Sequence, residues 1–219
     1  MKKPVIFCDF DGTITETDNI ISLMKKFAPP EWNEIKDNIL SQKVTIQEGV
    51  GNLFNLLPTD LKEEIIAYLK ETAVIRKGFG EFVKYTKSEG IPLYIVSGGI
   101  DFFVHPLLEG LIDKEFIYCN NSDFTGERIQ ILWPNSCKGT CSNGCGCCKP
   151  TIINDLSKQD NEVIVIGDSI TDLQAAKLAD TVFARDFLRV KLDELNLPYH
   201  SFETFFDVIT ALKTREVNV

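Results

Sequence analysis

Three unbroken apolar stretches stand apart in the chain: Pro4–Cys8 (PVIFC), Pro92–Val96 (PLYIV) and Val163–Ile166 (VIVI). Each is short, β-branched or aromatic, and free of polar interruption. That pattern predicts strands buried on both faces, as in a parallel sheet covered by helices. Apolar residues recur at helical spacing over Gly80–Ser88, Ile100–Leu108, Thr151–Leu156 and Asp172–Leu178. Thr181–Ala184 (TVFA) predicts a further strand and Phe202–Leu212 a closing helix. Strands alternating with helices predict an α/β fold, a Rossmann-like, doubly wound parallel sheet.

Two inserts interrupt the alternation. Residues 17–76 read as helices, Asn19–Phe27, Glu31–Leu40, Thr45–Leu56 and Thr59–Glu71, with Pro29-Pro30 and Pro58 at the breaks. Thr45 and Glu48 have capping-box spacing, and Thr59–Glu63 approximates it. The segment is too long for a βα loop. It predicts a helical cap over the sheet, with an independent helical domain as the alternative. The division expected is therefore a core of 1–16 and 77–219 and a cap of 17–76. The second insert, about 115–148, predicts a hairpin of Phe116–Cys119 and Arg128–Trp133 followed by a cysteine-rich run.

The 219 residues suit one medium domain or a core plus a small accessory unit. A formal net charge of -9 argues against nonspecific nucleic-acid binding, which needs a basic face. A small phosphorylated substrate is still compatible, because a site can be locally positive. No apolar run approaches the ~20 residues of a membrane span, and Val5–Cys8 is too short for a signal peptide's apolar region. The expectation is a cytoplasmic protein whose partner is a small phosphorylated metabolite, with no nucleic acid and no membrane.

In open α/β sheets ligands bind beyond the carboxyl ends of the strands. The first strand stops at Asp9-Phe10-Asp11-Gly12-Thr13. Residues i and i+2 of an extended chain project to one side, so the two carboxylates would repel. A divalent cation resolves the conflict, and Mg²⁺ shares a few hard oxygens with substrate phosphate. One carboxylate could then attack phosphorus while the other handles protons. A calcium loop starting at Asp9 fails in register, with Ile14 where glycine is required and Ile20 where glutamate is required. The second strand runs into Ser97-Gly98-Gly99 before a helix, either an anion site or a plain turn. Lys149-Pro150 opens another helix. Gly167-Asp168-Ser169-Ile170-Thr171-Asp172 follows the VIVI strand, with Asp168 a third acidic ligand candidate and each aspartate alternatively an N-cap.

Taken in order, Asp9–Thr13, Ser97, Lys149 and Gly167-Asp168 with Asp172 resemble the four motifs of the haloacid dehalogenase superfamily, over essentially the whole chain. The resemblance implies a Mg²⁺-dependent phosphatase acting through an aspartyl-phosphate. It implies that Asp9 is the nucleophile and Asp11 the general acid/base, which lends Mg²⁺ its backbone carbonyl. Ser97, Gly98 and Lys149 would bind the phosphoryl oxygens, Asp9, Asp11 and Asp168 the Mg²⁺, and Asp172 would support them. The aspartate at position 11 favours phosphatase over dehalogenase. The insert after the first motif is similar to the family's first type of cap.

An apolar substrate tail would suit Phe27, Trp32, Phe54 and Phe102 under that cap, though aromatics at such positions also serve as core. An amino-acid phosphate such as phosphoserine would want charged partners, for which Glu16 and Arg76 are candidates. Five cysteines crowd into 137–148. They are read as a structural Zn²⁺ site on Cys137, Cys141 and Cys145, with Cys147 or Cys148 as fourth ligand and Cys148 taken as the candidate. A disulfide-stapled loop and plain thiols are the rivals. They leave open a third function, a zinc-binding or redox-sensing interaction protein on the same fold. His105 and His200 read as structural or surface residues, and Cys8 as a buried small hydrophobe.

Overall fold

A computed structural model describes residues 2–137 and 144–217. Its elements run β1 (Lys3–Cys8), α1 (Asn19–Phe27), α2 (Trp32–Leu40), α3 (Ile46–Asn55), α4 (Lys62–Thr72), α5 (Phe79–Ser88), β2 (Leu93–Ile100) and α6 (Asp101–Leu107). They continue with β3 (Ile117–Asp123), β4 (Gln130–Leu132), α7 (Lys149–Leu156), β5 (Asn161–Gly167), α8 (Leu173–Ala176), β6 (Thr181–Ala184), α9 (Asp186–Glu194), β7 (His200–Ser201) and α10 (Phe205–Val217).

One seven-stranded sheet has the order β4-β3-β2-β1-β5-β6-β7. Every pairing is parallel except β3 with β4. The alternation within the apolar runs explains why both faces are covered. Ile6 and Cys8 of β1, with Ile164 and Ile166 of β5, enter one core. Val5 and Phe7, with Val163 and Val165, enter the core on the opposite face. Full burial of such a side chain contributes roughly 1.5–3 kcal/mol, so neither face tolerates a slip in register.

The helical insert shares the first of these cores. Leu23, Met24, Trp32, Leu53 and Phe54 pack in one cluster with Ile6, Ile95 and Phe103. Asp18 caps α1 by accepting from the Ile21 amide at 2.9 Å, and Thr45 caps α3 by accepting from Glu48 at 3.1 Å. Thr59 does not cap as its spacing suggested. Its hydroxyl donates to the Gly126 carbonyl at 2.9 Å, tying the insert to the β3–β4 connection. Where the chain leaves and re-enters the core, Thr15 and Ile75 form an isolated antiparallel bridge.

The hairpin predicted in the second insert is present as β3 paired antiparallel with β4, and β3 also pairs parallel with β2, which joins the hairpin to the main sheet. The structure departs from the sequence pattern at three places. β2 itself continues through Ser97-Gly98-Gly99 to Ile100 with a register shift on the way. The two glycines are therefore the irregular end of a strand and not the opening of a helix. The helix predicted at 172–178 is a 3₁₀ turn over Ile170–Asp172 followed by the short α8. Helix α9 and the two-residue edge strand β7 carry no apolar periodicity that predicts them.

Candidate active site

Strand order places the chemistry. β2, β1 and β5 are adjacent, with Cys8 opposite Ile95 on one side and Ile166 on the other. Neighbouring strands lie about 4.8 Å apart, so the residues just past their ends become neighbours: Ser97, Asp9 with Asp11, and Asp168. α7 delivers Lys149 to the same edge. Lys149 is 5% exposed and Asp9 6%, which makes their pairing a matter of stability as well as chemistry.

The Lys149 ammonium donates to Asp9 Oδ1 at 2.5 Å and to Asp172 Oδ1. Burial works against its charge, but Asp172 and Asp9 more than offset that and raise its pKa. The other oxygen of Asp172 accepts from the Asp168 amide at 3.2 Å, the Ser169 amide at 3.0 Å and the Ser169 hydroxyl at 3.1 Å. Both Asp172 oxygens are thus committed to protein donors. The residue read as a possible N-cap does cap the 3₁₀ turn while also holding Lys149. Gly167 is required beside it, since a Cβ there would lie 2.4 Å from Asp172 Cγ.

Thr13 donates to Asp168 Oδ1 at 2.8 Å. Asp168 Oδ2 faces Gly12, whose φ of +79° and whose Cβ position, 2.3 Å from that oxygen, admit only glycine. The Asp11 carboxyl is turned toward the insert. Its Oδ1 accepts from the Asn19 backbone at 3.0 Å and side chain at 2.7 Å. Its Oδ2 lies where a Cβ on Gly99 would approach to 2.9 Å. Ser97 is fully buried, and its hydroxyl accepts from the Gly99 amide at 2.8 Å. Gly98 is exposed at the strand end, with open space around its Cβ position.

Electrostatically the edge is overloaded with acid. Burial raises the pKa of Asp9 well above the carboxylate range, with Lys149 pulling it back. Burial and Asp18 push Asp11 up to about 7, against the two bonds from Asn19. Burial and Asp172 push Asp168 up to about 6. Ligand oxygens of Asp9, Asp168 and Asp172 lie within 4.8 Å of one another. Because Asp172 is committed elsewhere, the oxygens left to a cation are those of Asp9 and Asp168. An all-oxygen set with few protein ligands fits Mg²⁺, which keeps water and substrate oxygens in its shell.

Two residues that shape the site lie outside the motifs. Asn19 anchors Asp11. Arg76, 6% exposed, donates to the carbonyls of Thr13 at 2.7 Å, Gly12 at 2.8 Å and Thr15 at 3.3 Å, clamping the loop that follows β1. Its guanidinium is thereby occupied, whereas Glu16 is exposed. The aromatic candidates are packed against other protein side chains. Phe27 meets Tyr68 edge-on at 5.5 Å, and Phe54 meets Phe102 at 6.1 Å. Trp32 is buried beneath Lys36. Cys137, Cys145 and Cys148 converge, while Cys141 lies outside the described residues. His105 is half-buried beside Cys119, at 3.9 Å, and His200 is exposed, stacked on Phe183.

Comparison with known proteins places this arrangement. The chain is 62% identical over 218 residues to the 2-hydroxy-3-keto-5-methylthiopentenyl-1-phosphate phosphatase of Geobacillus kaustophilus, covering 100% of this chain and 99% of that one. It is 54% identical over 212 residues to the protein of that name from Bacillus velezensis, covering 97% and 91%. Among solved structures, a substrate-bound phosphoserine phosphatase superposes with a TM-score of 0.69 at 19% identity, covering 96% of this chain and 99% of that one. A phosphoserine phosphohydrolase-like protein from Francisella tularensis gives 0.69 at 18%, covering 95% and 99%; at these identities the likeness is one of fold. The sequence profile of the haloacid dehalogenase-like hydrolases matches residues 6–177, from β1 through α8 and so across all four strand-end motifs. With that match and full-length relatives, the chain belongs to the haloacid dehalogenase-like hydrolases.

Proposed function

We propose that the chain hydrolyses 2-hydroxy-3-keto-5-methylthiopentenyl-1-phosphate to phosphate and the acireductone 1,2-dihydroxy-3-keto-5-methylthiopentene, a step of methionine salvage. The observation that carries the substrate is the 62% identity to a phosphatase of that name across the whole chain. No helix among the described residues is long and apolar enough to cross a membrane, and this reading puts the enzyme in the cytoplasm with its small substrate.

In this reading Asp9 attacks phosphorus, the ester P–O bond breaks, and Asp11 gives its proton to the departing oxygen. Water then attacks the phosphorus of the aspartyl-phosphate. The proton lost by that water returns to Asp11, and phosphate leaves as the Asp9 carboxylate is restored. Asp11 must begin protonated, which suits a carboxyl whose burial favours the neutral form. Lys149 balances charge on Asp9 and reaches the phosphoryl oxygens with Ser97 and Gly98. Asp172 fixes the ammonium. Mg²⁺ held by Asp9, Asp168 and the Asp11 carbonyl would neutralise the carboxylates that otherwise repel an incoming phosphate. The segment 17–76 acts as cap over a core of 1–16 and 77–219. The cysteine loop takes no part in these steps.

The test is turnover on a panel of phosphorylated metabolites with EDTA and then excess Mg²⁺. The expected result is preference for the enol phosphate over phosphoserine, loss of activity in EDTA and recovery with Mg²⁺. A preference for phosphoserine would overturn the substrate, and full activity in EDTA would overturn the metal. A sharper check on the metal is Gly12→Ala. The new methyl must displace the Asp168 carboxylate, so the Mg²⁺ concentration giving half-maximal activity should rise about tenfold or more, on the order of the effect of disturbing a ligand's orientation.

A further inference from the structure

The cysteine-rich run sorts its sulfurs in space. Cys137, Cys145 and Cys148 bring their Sγ atoms within 4.8 Å of one another. Cys147, in the same run, is turned away, and its thiol donates to the Tyr118 carbonyl at 3.7 Å. The backbone between the converging residues is built for a tight wrap. Gly144 and Gly146 take left-handed φ of +57° and +80°. A Cβ on Gly146 would lie 2.5 Å from the Trp133 ring, and one on Gly144 would lie 2.9 Å from Thr45. Gln47 of α3 donates to the Gly144 carbonyl at 2.8 Å. Cys148 stands at the N-terminal boundary of α7, immediately before Lys149, and its sulfur accepts from the Thr151 hydroxyl at 3.1 Å. That hydroxyl is an outer contact of the kind that orients a metal-binding thiolate.

We propose that Cys137, Cys145 and Cys148 together bind one Zn²⁺ ion. With Zn–S of about 2.3 Å, sulfurs in a tetrahedral site stand about 3.8 Å apart. The observed separations, all within 4.8 Å, need to contract by only about 1 Å to reach that value. Three thiolates select zinc over the hard Mg²⁺ that the carboxylates suit. The ion would join the chain beyond β4 to the N-terminus of α7, on a loop already docked against α3. Its role is structural: it fixes the residue preceding Lys149, and with it the helix that aims the ammonium.

The experiment is metal analysis by mass spectrometry of the full-length protein, grown with zinc and purified in excess Mg²⁺ without chelator. About one zinc per chain is expected. Replacing that zinc with Co²⁺ should give thiolate-to-cobalt charge-transfer bands. The double variant Cys145→Ser/Cys148→Ser should lose both the zinc and the bands, whereas Cys147→Ala should keep them. The wild-type measurements stand on their own if the double variant fails to fold. Three results would each overturn the proposal: wild-type protein without zinc whose thiols titrate freely, a disulfide between two of the three, or zinc retained by the folded double variant.

Discussion

Asp9→Asn is expected to reduce kcat by at least about 10³-fold, since an amide cannot form the aspartyl-phosphate. The same change should leave the fold as stable as before or slightly more so. Asp9 is buried, and its ionised form is opposed by desolvation and by Asp172 and Asp168. Asparagine is nearly the same shape and removes that repulsion, and Lys149 retains Asp172 as a partner. Thermal unfolding should therefore show Tm unchanged or raised while single-turnover phosphate release disappears. Near-normal turnover would refute Asp9 as nucleophile. Loss of activity with a collapsed Tm would mean that its role is to support the fold.

Lys149→Met is expected to fail on both counts. The methionine stem fills the same space, but Asp9 and Asp172 are left facing each other, buried at 6% and 1% exposure, without the ammonium. Removing one partner of a buried ion pair costs about 3–5 kcal/mol, which for a chain of this size lowers Tm by about 10 °C. Activity should fall by about 10²-fold or more, on the scale of removing one electrostatic donor from a transition state. The double variant Lys149→Met/Asp172→Asn separates the two effects. It should regain much of the lost Tm, because one of the stranded charges is gone, and regain none of the activity. Recovery of turnover in the double variant would show that Lys149 acts only by neutralising Asp172.

The motif residues were legible because the apolar runs that carry them stop abruptly at polar side chains, and strand ends in an open sheet are where such residues meet. β1 and β5 needed nothing more than their own composition to be found. β3 was different. Its antiparallel hairpin with β4 is local and shows in the sequence, whereas its parallel pairing with β2, which carries that hairpin onto the main sheet, is nonlocal and leaves no mark in the run itself. The end of β2 was misread because Gly98-Gly99 suggests a turn, whereas Gly99 is there to let Asp11 and Val104 approach. Helix α9 hides in DFLRVKLDE, where only Leu188 and Leu192, one turn apart, are buried. Asn19 lies just past the first motif and Arg76 reads as a partner for a charged substrate, yet what they do depends on carbonyl and carboxylate positions that only the folded loop after β1 creates. For Arg76 those partners lie 61–64 residues away along the chain.

The Thr15–Ile75 bridge carries a consequence for how such a molecule is assembled. It brings the two ends of the helical insert side by side, and Arg76, the residue after that bridge, fastens the loop after β1. In wiring, the insert resembles a cassette: its entry and exit form a single doorway, although its first helix also reaches back through Asn19 to hold Asp11. In packing it is not a cassette, because Leu53 and Phe54 share a core with Phe103 and Ile95. A transplanted insert threaded through that doorway would have to bring both an apolar underside of matching shape and a donor at the position of Asn19 to hold Asp11. The constraints on exchange lie in that underside and in the first residue past the join.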